Sequence, residues 1–255
     1  MKKIMSIIAA VVASAAVADG LASSTIVGYN TLAAPEAGKF KALSLQFDDV
    51  GGVTSIPVTN LVKVAAPKGA PAFNAAADQI WTYDITGGWN KYYYRTASKN
   101  WCKQGQNTIT TDVLNRTSGS TIFFRRGGGG AATTLTLSGA VKPFEASQVY
   151  SGITAGTFRF IAYPWPVPFT LDNLKNCQAA PKAAPAFNAA ADQVWTYDME
   201  ANTWVKYFYR TASKGYCRQG TTTITDAVVP AGEGFFFRRG GGGATETITF
   251  TYSAE

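Results

Sequence analysis

Carboxylates are the side chains of this sequence that could catalyse a reaction by themselves. Two Asp or Glu residues at a suitable separation suffice to hydrolyse a glycosidic bond, one as the acid and the other as base or nucleophile. Aspartates recur in two similar parts of the chain, as Asp78 and Asp192, Asp84 and Asp198, and Asp112 and Asp226. Glu233, which lies between two glycines, has no counterpart of this kind. A carboxylate-based glycoside hydrolase is therefore one function to test.

Composition excludes most other catalytic chemistry. The sequence contains no histidine, which removes Ser-His-Asp and Cys-His mechanisms and histidine metal sites. Asp84 and Asp198 precede expected tight turns, where an aspartate side chain bonds the backbone two residues further on. The adjacent Asp48 and Asp49 lack the spaced oxygen ligands of a calcium-binding loop. We therefore expect a protein that is not an enzyme, with no metal and no cofactor.

Two identical segments combine arginines with glycines, because FFRRGGGGA occupies both residues 123–131 and residues 236–244. A phosphate-binding Walker loop would need Gly-Lys-Ser/Thr at the start of a helix, whereas a β-type run follows here. Guanidinium groups can instead pair with sulfate, phosphate or carboxylate groups of an extracellular polymer. The candidate arginines are Arg125, Arg126, Arg238 and Arg239. The alternative is that each segment is only a hairpin tip.

Aromatic side chains are concentrated in the same two parts of the chain. They would place flat apolar faces beside hydroxyl and N–H groups on a small sheet, which suits sugar rings or a protein partner. Their every-other-residue spacing also suits core or cross-strand packing. The candidate ligand-binding residues are Trp81, Tyr83, Trp89, Tyr92, Tyr94, Trp195, Tyr197, Trp204, Tyr207 and Tyr209.

The chain begins with the pattern of a secretion signal. Two lysines precede an apolar run from Ile4 to Ala18 that ends in Ala-Val-Ala. The run is shorter than the about 20 residues that a transmembrane helix needs. We expect residues 1–18 to be a signal peptide. The mature protein would then be secreted or extracytoplasmic, in the periplasm or at the cell surface, without stable membrane insertion.

The charge of the mature chain is mildly positive. Removal of Lys2 and Lys3 leaves 21 basic and 16 acidic residues, a net charge of +5. These charges are spread along the chain, whereas a nucleic-acid binder clusters its Lys and Arg. The expected partner is an extracellular polysaccharide or a surface protein, and not a nucleic acid.

Three cysteines are present, so in an oxidising compartment at least one lacks an intrachain partner. A Cys102–Cys217 bond, a Cys177–Cys217 bond and three free thiols all remain compatible with the sequence. The spacing does not choose among them.

The chain repeats itself over much of its length. Residues 66–84 and 180–198 are identical at 17 of 19 positions, and residues 89–105 then match residues 204–220. Ordered self-similarity of this kind indicates a duplicated unit. We predict one β-rich unit at residues 25–138 and a second at residues 139–255.

Apolar and polar residues alternate in several short runs, which predicts strands. Residues 79–84 and 89–95 are separated by a short Gly-bearing turn, as in a hairpin. Residues 122–126 and 133–137 predict a second hairpin around the four glycines.

Helices are expected only as short segments, around residues 60–64 and 172–176. The fold class is therefore all-β. We predict two tandem homologous modules, each a β-sandwich or barrel-like structure with antiparallel hairpins and at most short helices.

Two patterns resemble known families. WTYD followed closely by Trp, at residues 81–89 and 195–204, is similar to the hairpin of kelch repeats. A kelch propeller needs at least about four blades spaced about 50 residues apart, whereas only two copies are present here, so no propeller is expected. The leader, the IVGYNTL first strand, the DQ[IV]WTYD segment and GEGFFF at residues 232–237 together resemble a group of uncharacterised secreted bacterial β-repeat proteins. That resemblance implies compartment and architecture only.

These observations favour an exported, non-catalytic surface or extracellular matrix protein that acts through protein contacts. A glycan- or polyanion-binding module is the alternative, and a carboxylate-based glycoside hydrolase is a second alternative. Two similar faces on one chain would bind a repeating polymer more tightly than one, if both can engage it.

Overall fold

The computed structural model of the chain describes residues 27–48, 55–84, 88–115, 120–141 and 146–252. The predicted signal peptide, residues 1–18, lies outside the described residues. We call residues 27–141 the N-terminal half and residues 146–252 the C-terminal half.

Strands dominate both halves. In the N-terminal half they are β1 (Val27–Ala33), β2 (Phe40–Leu45), β3 (Phe47–Asp48), β4 (Ser55–Pro57), β5 (Lys63–Val64), β6 (Gln79–Asp84), β7 (Gly88–Arg95), β8 (Asn100–Lys103), β9 (Val113–Asn115), β10 (Ser120–Arg125) and β11 (Thr134–Val141). In the C-terminal half they are β12 (Ser147–Ile153), β13 (Phe158–Ala162), β14 (Phe169–Thr170), β15 (Gln193–Asp198), β16 (Thr203–Arg210), β17 (Gly215–Arg218), β18 (Val228–Val229), β19 (Gly234–Arg238) and β20 (Glu246–Thr251). The all-β prediction is confirmed.

Helical structure is limited to short segments, as predicted. A 3-10 helix at Val58–Asn60 lies slightly before the predicted position, and a 3-10 helix at Leu171–Asn173 leads into α1 (Leu174–Cys177). Neither 3-10 helix has a side-chain cap, although Thr170 occupies the capping position of the second. Within the described ranges no helix is long and apolar enough to cross a bilayer.

Each half contains a five-stranded antiparallel sheet with the same strand order. The N-sheet has the order β2-β10-β6-β7-β8, and the C-sheet has the order β13-β19-β15-β16-β17. The registers agree as well. Trp81 lies opposite Phe123 and Lys91, and its equivalent Trp195 lies opposite Phe236 and Lys206. The first predicted hairpin is confirmed as β6 and β7, whose connecting residues 85–87 lie outside the described residues.

The second predicted hairpin is wrong. Strand β10 pairs with β2 and β6, whereas β11 pairs with β1, β3 and β5 in a separate sheet. In the C-terminal half, β19 pairs with β13 and β15 while β20 pairs with β12. The glycine segment therefore connects two different sheets. Strand β11 also continues to Val141, past residue 138, where the first predicted unit ends.

The two five-stranded sheets each use one face for the core of their own half. In the N-sheet this face carries the buried residues Ile80, Tyr92 and Phe124. In the C-sheet it carries Val194 and Tyr207, at the positions of Ile80 and Tyr92. Because successive side chains of a strand point to opposite faces, the other face of each sheet carries the alternate residues. Those two faces contact each other through aromatic side chains.

Candidate functional site

Six of the predicted aromatic residues lie on the contacting faces of the N-sheet and C-sheet. Trp89 contacts Phe236 of the other half with ring centroids 5.8 Å apart, and its equivalent Trp204 contacts Phe123 at 5.7 Å. Each half therefore places a tryptophan against the central phenylalanine of the other half, and the two contacts are related as by a twofold axis. The six residues are Trp81, Tyr83, Trp89, Trp195, Tyr197 and Trp204.

The centre of this contact is not symmetric. Phe160 stacks on Phe123 at 4.9 Å and on Phe236 at 4.3 Å. Phe160 is paired with Phe236 along the sheet, and the residue paired with Phe123 at the equivalent position is Ala42. Of the two equivalent positions, 42 and 160, only position 160 carries a ring, and that ring packs against both Phe123 and Phe236. Ala42 leaves room for it.

The ring faces that a sugar would need are largely occupied. Lys91 lies over the Trp81 ring at 4.2 Å, and Lys206 lies over the Trp195 ring at 4.3 Å. Edge-to-face contacts with neighbouring rings cover much of the remainder, as between Tyr83 and Trp89 at 5.1 Å. Binding of a ligand by the six residues stays a prediction, and in this arrangement their packing partners are other side chains of the chain.

The four remaining aromatic candidates lie on the opposite, core-facing side of the sheets. Tyr92 and Tyr207 are buried. The Tyr94 hydroxyl donates a hydrogen bond to the Lys99 carbonyl at 2.7 Å, and the Tyr209 ring lies 5.5 Å from that of Tyr216. The ten predicted residues therefore do not form one surface.

Arg125 and Arg238 occupy equivalent places at the sheet surface. Arg125 donates to the Ala75 carbonyl at 2.9 Å, and Arg238 donates to the Ala189 carbonyl at 3.0 Å. Each guanidinium also lies over a phenylalanine ring of its own sheet, at 5.7 and 5.8 Å. Of the four candidate arginines, these two are the ones that retain exposed atoms for an anionic partner.

Arg126 is buried in an ion pair with the buried Asp78. Its Nη1 lies 2.6 Å from Asp78 Oδ2, which also accepts from the Lys68 N–H at 2.7 Å, while Oδ1 accepts from the Gly127 N–H at 2.8 Å. Burial raises the pKa of Asp78, and these donors and the arginine oppose the increase. A Cβ at Gly127 would lie 2.3 Å from the Ala76 carbonyl oxygen. Gly127 must therefore lack a side chain for its N–H to come within hydrogen-bond distance of the Asp78 carboxylate.

The equivalent arginine of the C-terminal half belongs to a larger buried network. Arg239 Nη1 lies 2.8 Å from both Asp192 Oδ2 and Glu246 Oε2. Gln178 donates to Asp192 at 2.7 Å and accepts from the Tyr216 hydroxyl at 2.6 Å. Burial, together with the two nearby carboxylates, raises the pKa of Tyr216 well above its usual value.

Three coordinated replacements distinguish this network from the N-terminal half. The N-terminal half has Val64 in place of Gln178, Trp101 in place of Tyr216, and Thr133 in place of Glu246. The Thr133 hydroxyl accepts the Ala66 N–H at 3.0 Å, a backbone donor of the kind that the glutamate binds in the other half. None of Gln178, Tyr216 and Glu246 was a candidate from the sequence, because these residues lie far apart in the chain and only the fold brings them together.

The pairing of Asp112 with Asp226 is wrong. The Asp112 N–H donates to Thr110 Oγ1 at 3.1 Å, and it is the Ala227 N–H that makes the same bond to Thr225 Oγ1, at 3.0 Å. Ala227 therefore occupies the place of Asp112. The constant spacing that aligns residues 89–105 with residues 204–220 also places Ala227, and not Asp226, at the position of Asp112.

Asp112 forms a polar cluster that the C-terminal half lacks. Its Oδ2 accepts from the Tyr92 hydroxyl at 2.9 Å and from Lys103 Nζ at 2.8 Å. The Lys103 hydrogen bond lowers the pKa of Asp112, whereas burial, followed by the hydrogen bond to Asp112, raises the pKa of Tyr92. The cluster borders a surface cleft of about 410 Å³.

The other carboxylate candidates have structural partners. Glu233 is largely buried and lies 3.6 Å from Lys41, and burial raises its pKa against the effect of that lysine. Asp198 Oδ1 accepts the backbone N–H groups of Glu200 and Ala201 at 2.9 Å each, so its predicted role in a turn is confirmed. Asp49, of the pair weighed for calcium, lies outside the described residues.

No family model, curated protein or solved structure matches this chain. Its chemistry is therefore inferred from its own geometry. In the part of the chain that the structure describes, no three His, Cys, Asp or Glu side chains are grouped as a metal site would require.

All three cysteines are free thiols, as one of the sequence alternatives allowed. Cys102 and Cys217 are buried at equivalent positions, with Sγ 3.6 and 3.3 Å from the hydroxyls of Ser98 and Ser213. Burial raises the pKa of Cys177 to about 11, which keeps this thiol protonated and unreactive near neutral pH.

Proposed function

We propose that the chain is an exported, non-catalytic protein of the cell surface or extracellular matrix that acts through protein contacts. Support comes from the carboxylates that could have served a hydrolase. Asp78 and Asp192 are fully buried in ion pairs with arginines, and Glu233 is paired with Lys41. A glycosidase needs its two carboxyl groups beside a space that admits the sugar.

In this proposal the chain consists of two homologous modules, near residues 25–138 and 139–255, that follow a removed signal peptide. The common strand order and register of the N-sheet and C-sheet support a duplicated module. The architecture and the leader also support membership among secreted bacterial β-repeat proteins. The glycan-binding alternative loses support, since most of the aromatic rows on which it depended contact other rings.

The observation that carries the proposal is a repeated pattern of exposed apolar side chains. Ile109 is 47% exposed and its equivalent Ile224 is 42% exposed; Val113 and its equivalent Val228 are 59% and 52% exposed. Single exposed apolar residues are ordinary. The recurrence of both positions in both halves fits a contact that is made twice, and further copies of the same chain are the expected partner.

A charge placed on this repeated pattern tests the proposal. The mature full chain with Ile109→Lys and Ile224→Lys should sediment as a monomer at concentrations where the unaltered protein self-associates, because a lysine disfavours burial of the contact. The matched control carries Thr108→Lys and Thr223→Lys, which add the same charge at neighbouring exposed positions. Self-association that is equal in both variants, or absent from the unaltered protein over the whole concentration series, would contradict the proposal.

A further inference from the structure

The N-terminal half has a surface cleft beside β7 and β8. It is bordered by Asn90, Lys103, Thr111 and Asp112, with the buried Tyr92 at its base. Its volume of about 410 Å³ lies within the range of about 300–1,000 Å³ that is usual for small-molecule sites. The cleft is therefore large enough for a small ligand.

Its polar groups offer both donors and acceptors. Both hydrogen bonds to the Asp112 carboxylate are made to Oδ2, and no described residue donates to Oδ1. Lys103 donates one of its three N–H groups to that carboxylate. The amide of Asn90 and the hydroxyl of Thr111 are at least partly exposed to the same space.

The charges of the cleft balance each other. Lys103 Nζ lies 2.8 Å from Asp112 Oδ2, so the pair presents no net charge to a ligand. An anion would meet the Asp112 carboxylate, and a cation would meet the lysine. Hydroxyl groups donate and accept at the same time, and they match such a mixed set without adding charge.

The carboxylate is not needed to hold the loop that carries it. In the N-terminal half the Val58 N–H donates to the Asp112 carbonyl at 3.0 Å. In the C-terminal half the Leu171 N–H makes the same bond to the carbonyl of Ala227, at 2.9 Å, where the side chain is a methyl group. The loop therefore closes without the cluster of Asp112, Lys103 and Tyr92.

The C-terminal half replaces the polar groups of the cleft. Val205 stands at the position of Asn90, Ala227 at that of Asp112, and Arg218 at that of Lys103. The side-chain acceptors of Asn90 and Asp112 are lost, whereas Asp226 stands at the position of Thr111 and the buried tyrosine is retained as Tyr207. The chain thus contains a natural counterpart of the cleft that lacks the acceptors of Asn90 and Asp112.

We propose that the cleft of the N-terminal half binds one uncharged sugar unit, with Asp112 Oδ1 accepting from ligand hydroxyls and Lys103 and Asn90 donating to ligand oxygens. The C-terminal half has no equivalent site. Val113, one of the exposed apolar residues of the proposed protein contact, also lines the cleft. The proposed sugar-binding groups are polar, so the variants below test them separately from that contact.

Saturation-transfer NMR with the mature full chain tests the site, using D-glucose, D-galactose, D-mannose and N-acetyl-D-glucosamine as separate probes. At least one should bind with a dissociation constant of about 1 mM or tighter. D-glucuronate and D-glucosamine, which carry opposite charges, should bind several-fold more weakly than the best neutral sugar. Absence of transfer to every neutral sugar would overturn the proposal, as would the tightest binding going to D-glucuronate.

Variants locate the binding within the chain. Asp112→Ala and Asn90→Val install the residues of the C-terminal half, and each should weaken binding by at least tenfold. Asn90→Val leaves the ion pair intact, so it remains informative if Asp112→Ala fails to fold. Asp226→Ala removes an exposed carboxylate of the C-terminal half and should leave binding unchanged. Equal binding by Asn90→Val and the unaltered protein, or loss of binding in Asp226→Ala, would refute this location.

Discussion

The Arg126→Met variant would leave the buried Asp78 carboxylate without its cation. The carboxylate would keep the backbone donors of Lys68 and Gly127 but lose the 2.6 Å contact with the guanidinium. Removal of one partner from a buried ion pair costs about 3–5 kcal/mol of unfolding free energy. The Ala131 carbonyl, which accepts from Arg126 at 2.8 Å, would lose its donor as well, so we expect the upper part of this range. For a chain of this size the midpoint of thermal unfolding should fall by roughly 8–20 °C.

The pH dependence of this loss provides a second measurement. Burial raises the folded-state pKa of Asp78 above its usual 3.8, and Arg126 opposes that increase, so the variant should raise it further. A carboxyl whose pKa is higher in the folded state destabilises the fold fully above that pKa. The destabilisation diminishes as the pH falls through the folded pKa toward the unfolded value. The difference between variant and unaltered protein should therefore shrink from neutral to mildly acidic pH.

Urea unfolding followed by circular dichroism at both pH values would measure this difference. Arg125→Met is the matched control, because that arginine makes a surface hydrogen bond to Ala75 and no buried ion pair. Its loss should cost about 1 kcal/mol or less, with little dependence on pH. An Arg126→Met penalty below about 1 kcal/mol, or one that is constant between the two pH values, would refute the reasoning.

Three further outcomes are expected. Tyr216→Trp and Gln178→Val should each lower the free energy of unfolding by about 1–3 kcal/mol, because each leaves a buried polar partner unsatisfied. In a double-mutant cycle measured by urea unfolding, the double variant should lose less stability than the sum of the two single losses. Gly234→Thr should lower the free energy of unfolding by about 1–3 kcal/mol, since a Cβ there would lie 2.2 Å from Thr121 Cγ2. Adding Thr121→Gly should restore stability, measured by thermal unfolding. A double variant that is no more stable than Gly234→Thr alone would contradict this packing. The denatured, unreduced protein should take up three alkyl groups, as measured by mass spectrometry, and uptake of fewer than three would indicate a disulfide. In the native protein, Cys177 should react slowly at neutral pH, because burial raises its pKa.

Local features of the fold were predictable from the sequence, and pairings between distant segments were not. The hairpin of β6 and β7 follows from alternation on either side of a short turn. The same alternation exists in β10 and β11, but those strands enter different sheets. The reason lies in Asp78, about fifty residues earlier, which binds Arg126 and the backbone of Gly127 and so fixes the glycine segment away from a hairpin. The residue pattern of the glycine segment itself does not indicate that Asp78 binds it.

The candidate site shows the same limit. Trp81, Tyr83 and Trp89 share one face of the N-sheet, and the face that covers them belongs to the other half of the chain. Tyr92 and Tyr94, which were predicted with them, lie on the opposite face. The two similar segments of the sequence contain a usable signal when they are compared. Where Val64 becomes Gln178 and Thr133 becomes Glu246, two apolar or small positions gain polar atoms together, and buried polar atoms need partners. Correlated gains of polar atoms between two similar segments therefore indicate a buried polar network from the sequence alone.

The contact between the sheets bears on which surfaces remain for other molecules. If two identical sheets met about a twofold axis, Thr121 would face its own copy, whereas here it faces Gly234, whose missing side chain provides the space. The polar margin is also specific to this pairing, since the Ser44 N–H donates to the Gly232 carbonyl at 2.8 Å and Gln46 donates to the Trp165 carbonyl at 3.1 Å. Each aromatic face therefore fits the other half better than it would fit a copy of itself. The outer surfaces therefore remain for other molecules, and the repeated exposed apolar side chains and the Asp112 cleft both lie there.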